Sequence, residues 1–266
     1  MTDASREDSR DPVDAQVFLF VTCLADLFRP SVAWASLALI ERAGYQVQVP
    51  QQQTCCGQPA YNSGDYAATI PLAKQVIRML EPADYVVAPS GSCAGMISHH
   101  YPKLLDGEWR ERALQLAAKT YELTRFLTEV ARLEPAPAAH APLEAVAYHD
   151  SCAGLRELGI REQPRQLLQQ LCGIEVKELD KRDVCCGFGG TFCAKMPEIS
   201  AKMVDDKIDD VLATGATTLT GGDLGCLLNI AGRARRRGKD LEVRHVAELL
   251  CGDLDEPGIG RGSKER

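Results

Sequence analysis

Apolar residues along this chain fall into short runs separated by longer amphipathic stretches, and the alternation occurs twice. Residues 15–21 (AQVFLFV) form a run short and aromatic enough for a buried strand. Residues 32–43 carry a helical period stopped by Gly44, and 45–49 alternate β-branched and polar positions as a second strand does. Residues 65–80 read as a helix, 84–88 as a third strand and 89–93 as the turn after it. Two further helices are expected at about 108–118 and 122–132.

After a Pro- and Ala-rich stretch at 133–142, the expected linker, the same order returns. Strands are expected at 145–148, 175–179 and 217–220, and helices at 163–171, where Gly173 stops the chain, and at 198–213. A helix, a short strand near 242–244 and a last helix complete the second unit. Strands alternating with helices predict an α/β fold of two pseudo-repeated domains, 15–132 and 143–252. Each would be a small parallel sheet flanked by helices. Segments 1–14 and 253–266 read as disordered tails.

Composition narrows the function classes. With 266 residues, 45% hydrophobic and 25% charged, the chain suits a globular protein with substantial cores. A net charge of -7 argues against a nucleic-acid partner, which requires a basic face. The basic run Arg233–Lys239 reads as a solvated helix end. No apolar stretch suffices for a membrane span, and the first 14 residues lack the apolar segment of a secretory signal. Eleven cysteines without an export signal suggest the cytoplasm, where thiols stay reduced.

Eight of those cysteines form one pattern written twice. Cys23, Cys55-Cys56-Gly57 and Cys93 are answered by Cys152, Cys185-Cys186-Gly187 and Cys226. Corresponding cysteines lie 129, 130, 130 and 133 residues apart, so the register holds across half the protein. Each cysteine segment follows an expected strand, and ligands of parallel sheets sit beyond the carboxyl ends of strands. Three separated segments per half should therefore converge on one site. Cys172 and Cys251, outside the repeat, read as buried thiols.

Three chemistries compete for these thiols. Structural zinc usually takes Cys-x2-4-Cys knuckles, and a disulfide relay uses Cys-x-x-Cys; neither spacing occurs in either half. Iron–sulfur binding fits better, because soft thiolates suit such clusters and a cluster takes adjacent and distant cysteines together. Gly57 and Gly187, with Gly189 and Gly190, would let backbone N–H groups approach the sulfurs. Cys193 is a candidate fifth thiolate in the second half, with a plain buried thiol as its alternative. His149 and Asp150 either touch the cluster edge or relay protons, or His149 merely closes a strand. His99 and His100 read as surface residues.

The stretches Thr54-Cys-Cys-Gly-Gln-Pro-Ala60, Ser90-Gly-Ser-Cys-Ala-Gly-Met96, His149-Asp-Ser-Cys152 and Cys185-Cys-Gly-Phe-Gly-Gly-Thr-Phe192 resemble the cysteine-rich "CCG" domain of iron–sulfur oxidoreductase subunits. The cysteine-rich subunit of heterodisulfide reductase and the iron–sulfur subunit of glycolate oxidase share that domain. The tandem arrangement over about 15–250 is most similar to the lactate utilisation protein A family. The resemblance implies an iron–sulfur electron-transfer subunit of a multi-protein system oxidising L-lactate to pyruvate. It also implies a ferredoxin-like iron–sulfur partner, a third lactate-utilisation subunit and no activity in isolation. A [4Fe–4S] cluster in each domain would be held by Cys23, Cys55, Cys56 and Cys93, and by Cys152, Cys185, Cys186 and Cys226.

Departures from the family pattern matter. The fullest CCG pattern ends in Cys-x-x-Cys, whereas Met96 and Asn229 stand at those last positions here. This disfavours a five-thiolate cluster of the heterodisulfide reductase type. Met96 reads as core and Asn229 as a hydrogen-bonding residue. Neither a dinucleotide-binding nor a P-loop glycine motif follows a strand, so hydride chemistry is left to a partner. An iron with an open position would bind the lactate hydroxyl and carboxylate as a Lewis acid. A heterodisulfide-reductase-like thiol/disulfide reductase and a non-catalytic zinc scaffold are the alternative readings.

Overall fold

The computed structural model describes residues 15–135, 143 and 145–261. The first half runs β1 (Gln16–Leu19), α1 (Cys23–Phe28), α2 (Pro30–Arg42), β2 (Gln46–Gln48), α3 (Gln58–Asn62), α4 (Tyr66–Leu80) and β3 (Tyr85–Ala88). It continues through α5 (Gly91–Gly95), a π-helical turn, α6 (Tyr101–Leu104), α7 (Gly107–Ala117), β4 (Thr120–Glu122), α8 (Leu123–Arg125) and a second π-helical turn. The second half runs β5 (Val146–His149), α9 (Cys152–Arg156), α10 (Glu162–Cys172), α11 (Phe192–Lys195) and α12 (Pro197–Ala213). It ends with β6 (Thr218–Gly221), α13 (Leu224–Arg236), β7 (Glu242–His245) and α14 (Val246–Cys251).

Both sheets are parallel. The first has the order β2-β1-β3-β4 and the second β5-β6-β7. Where the second sheet needs a counterpart to β2, Lys177 alone makes a parallel bridge to Ala147. The strand expected at 175–179 is thus reduced to a single bridge, whose N–H donates to Val146 at 2.8 Å. The strand missed by sequence is β4, three residues set between two helices, and the short helices α1, α3, α6, α9 and α11 were not expected either. The expected turn at 89–93 instead runs into α5, with Ser90 as its N-cap.

One difference concerns a chain end. The stretch after Gly252, expected as a tail, folds back on β7 as far as it is described. Ile259 is buried and its N–H donates to the Val243 carbonyl at 2.7 Å. The expected tail 1–14 and most of the linker 133–142 lie outside the described residues. The basic end of α13 is paired as well as solvated, since Arg233 binds Asp205 and Arg237 binds Asp209, both on α12.

The halves share a core. Leu19, Leu39, Ile40, Val87 and Phe126 pack in one cluster with Val146, Tyr148, Leu167, Val246 and Leu250. The packing is pseudo-symmetric: α2 lies on α14, and its counterpart α10 lies on α8. Helices α5 and α9 meet closely across the halves, and a Cβ on Gly91 would lie 2.9 Å from the Gly154 Cα. Only glycine fits that crossing.

Candidate metal centres

The cysteines enter through helix N-termini and one tight turn. Cys23 and Cys152 open α1 and α9, capped by Thr22 and Ser151 side chains that accept from Ala25 and Gly154. Cys93 and Cys226 lie in the first turns of α5 and α13. Partial positive charge at such termini favours thiolates. Between them, Cys55-Cys56 and Cys185-Cys186 run into Gly57 and Gly187, at φ 85° and 82°. That left-handed conformation suits glycine, and a Cβ on Gly187 would also meet the Ser200 carbonyl at 2.8 Å. Each glycine N–H points back to the first sulfur of its pair, at 3.4 Å for Cys55 and 3.3 Å for Cys185.

The eight repeated cysteines thereby form two groups of four. In the first, the Cys56 and Cys93 sulfurs are 3.4 Å apart. Cys55 is hydrogen-bonded to the thiols of Cys23 and Cys56, which hold it well below the ordinary thiol range. In the second, Cys185 stands in the same relation to Cys152 and Cys186 and is lowered likewise. Cys56 and Cys186 are pushed the other way, first by their neighbouring thiol Cys55 or Cys185. In each half a side chain fixes the carbonyl of the middle cysteine. Tyr101 donates its hydroxyl to Cys56 at 2.7 Å, and Asn229 donates its amide to Cys186 at 3.0 Å. Asn229 is therefore the hydrogen-bonding residue expected, and Met96 is fully buried in the core.

The lining of the two groups differs. A cavity of about 250 Å³ opens beside Cys23, Cys55, Cys56 and Cys93, closed on its far side by Phe188, Gly190 and Asp223 of the second half. Asp223, buried, accepts from the Ser92 N–H at 2.9 Å and from the Ser90 hydroxyl at 3.4 Å. It thus pins the loop of Cys93 from three residues ahead of Cys226. Burial pushes its carboxyl up from the usual range.

Beside the second group stands His149, buried at the end of β5. One of its ring nitrogens and the sulfurs of Cys186 and Cys226 lie within 4.8 Å of one another. Burial, then the charge of Lys207, drive its pKa down to about 3, partly offset by Cys185. Lys207 is itself buried, donating to the Lys181 carbonyl at 2.6 Å. Asp150, considered with His149, is held away from such a role by a two-pronged contact with Arg165 at 3.0 and 2.8 Å.

The remaining residues singled out by sequence lie elsewhere. Cys193 donates to the Gly190 carbonyl at 3.5 Å, and no thiol hydrogen bond joins it to the four among the described residues. Cys172 and Cys251 pack against the shared core. His100 is not the free surface residue expected: half-buried, it bridges Tyr61 and Glu157 across the halves, at 3.2 and 3.0 Å. Lys207 and Tyr101 belong to no motif that sequence reasoning singled out. Lys207 sits in the same helical stripe as Val204, Ile208 and Val211, a cation at a core position, which is the local trace it leaves.

The donor set fits an iron–sulfur group in both halves. Four convergent sulfurs and backbone N–H groups aimed at them match what such a cluster requires in each half, and a cavity adjoins the first group. The comparisons agree with the duplication. A family model described as "Cysteine-rich domain" (CCG) matches residues 17–98 and 146–231. The chain is 49% identical over 238 residues to "Lactate utilization protein A" of Halalkalibacterium halodurans, covering 88% of this chain and 96% of that protein. It is 46% identical over 243 residues to "Lactate utilization protein A 2" of Bacillus cereus, covering 91% and 100%. Among solved structures, a protein described as a candidate Asp/Glu racemase from Yersinia pestis aligns at TM-score 0.36 and 11% identity, over 89% of this chain and 96% of that one. A likeness at that level carries no argument.

Proposed function

The chain belongs to the lactate utilization protein A family of tandem cysteine-rich (CCG) proteins, and from that premise we propose that it is an iron–sulfur electron-transfer subunit of a lactate-oxidising assembly. The observation that carries this reading is the pair of four-thiol groups, built alike in the two halves. Cys23, Cys55, Cys56 and Cys93 hold one [4Fe–4S] cluster, and Cys152, Cys185, Cys186 and Cys226 hold the other. Each cluster supplies one-electron transfer.

Oxidation of L-lactate to pyruvate releases two electrons and two protons, and two centres in one chain match that count. Hydride removal belongs to a partner, because no glycine-rich nucleotide loop follows a strand in this chain. The first centre has a surface on which such a partner can dock. A groove whose wall includes Cys23 and Cys55 is edged by Leu27 and Trp34, 71% and 67% exposed. Exposed apolar residues of this size mark contact surfaces, and a ferredoxin-like subunit is the partner we assign to it. No helix among the described residues is long and apolar enough to cross a membrane. With eleven free thiols, the protein belongs in the reducing cytoplasm.

The test is iron, acid-labile sulfide and zinc per chain on anaerobically purified protein, with an EPR spectrum after reduction. About eight irons and eight sulfides are expected, falling by half when Cys55-Cys56 or Cys185-Cys186 is changed to Ser-Ser. Stoichiometric zinc without sulfide would instead establish a scaffold, and reduction of a disulfide by the isolated, reduced protein would establish a thiol/disulfide reductase.

A further inference from the structure

We propose that His149 supplies a nitrogen donor to the metal centre of the second half, so that the two centres differ in ligation. The inference rests on the iron–sulfur reading above and deepens it. His149 is 1% exposed, yet neither ring nitrogen has a hydrogen-bond partner among the described residues. A buried polar group left unsatisfied is costly, so one in a packed core calls for a partner. The other buried histidine that is described shows how this fold treats the residue when no metal is near. His245 accepts the Ala247 N–H at Nδ1, which leaves Nε2 to donate to the Pro89 carbonyl at 3.2 Å. His149 has no such partners because its partner is not protein.

Geometry identifies that partner. One imidazole nitrogen of His149 and the sulfurs of Cys186 and Cys226 lie within 4.8 Å of one another, so the imidazole can reach an iron held by either thiolate. Neutral imidazole is an accepted ligand of iron, alone or in mixed sulfur–nitrogen sets. The equivalent position in the first half, three residues ahead of Cys23, is Phe20, which is fully buried and has no donor atom. The backbone at this position therefore tolerates a wholly apolar side chain. The imidazole is there for chemistry that Phe20 does not supply.

The experiment uses the full chain, purified without oxygen and reduced, with histidine labelled by 15N in the imidazole ring. Pulsed EPR on unlabelled protein should show a strong 14N coupling that becomes a 15N pattern on labelling. His149→Phe, which installs the first half's own residue, should abolish the coupling while the signal of the first centre persists. If iron and sulfide are present but labelling leaves the nitrogen couplings unchanged, His149 is not a ligand and the iron–sulfur reading stands. Persistence of the histidine coupling in the His149→Phe protein overturns the assignment in the same way. Protein without iron and sulfide overturns both.

Discussion

The two halves present four cysteines by the same means and surround them with opposite chemistry. Around the first group, Phe20 and Val76 are fully buried apolar side chains. Around the second, the corresponding places hold His149 and Lys207. The helix alignment follows from the glycines: Gly57 faces Thr69 and Leu72, Gly187 faces Ser200 and Met203, so Val76 answers Lys207. A cation beside a cluster stabilises the added electron. The lesson is that duplication conserves the cage and frees its lining. With the proposed clusters in place, this lining predicts the higher potential for the second centre.

The strongest way to break the comparison is at the contacts joining the halves. Arg29 binds Glu248 at 2.6 Å with both side chains buried, whereas another link between the halves, Gln163 to Glu129 at 2.8 Å, is exposed. Arg29→Met should cost about 3–5 kcal/mol by leaving the buried Glu248 without its counter-charge, and Glu129→Ala less than about 1 kcal/mol, as read from urea unfolding. Similar costs would mean the two sides are mechanically alike. Next, Lys207→Met should lower the midpoint potential of the second centre on the order of 60 mV, a tenfold shift for a one-electron couple. An EPR-monitored redox titration checks this, and an equal shift at both centres would erase the distinction drawn here.

Smaller effects sharpen the likeness. Tyr101→Phe and Asn229→Leu each remove the donor that holds a cysteine carbonyl, and each should cost about 1 kcal/mol with iron content unchanged. Urea unfolding and iron analysis check the pair. Last comes a pH slope. Glu122 and His245 occupy matching N-caps, where burial pushes the carboxyl up to about 7 and the imidazole down to about 4. Stability contributed by neutral Glu122 is full below its ordinary 4.5 and is lost as pH rises through 7. That contributed by neutral His245 is full above 6.5 and is lost as pH falls through 4. Glu122→Gln keeps the cap and removes the first loss. Its urea midpoint should therefore gain on the wild type between pH 5 and 7.5.

Most of the cage was legible because it is local. Gly57 and Gly187 follow their cysteine pairs directly, and each cysteine segment follows a strand or bridge whose period is visible. The lining was not, because it depends on contacts far apart in the chain. His149 was recognisable as a candidate from its place ahead of Cys152, but its neighbours Cys186 and Cys226 are 37 and 77 residues away. Asp223 carries the usual cap chemistry, yet its carboxylate crosses to Ser92 in the other half. The short β4, residues 120–122, has too few residues for a period to show. Cys193 lies close in sequence to Cys186, and the turn at Gly189–Gly190 directs its thiol to the Gly190 carbonyl.

The exchange of helices across the shared core has one further consequence. An arrangement in which each unit buries its first long helix on the last helix of the other is that of a two-fold homodimer, here fused head to tail. In an unfused homodimer every substitution appears at both sites at once, so a histidine gained at one centre is imposed on the other. Covalent fusion lifts that constraint. A single chain can keep one site all-sulfur and give the other a different ligand, turning two copies of one cofactor cage into a donor and an acceptor.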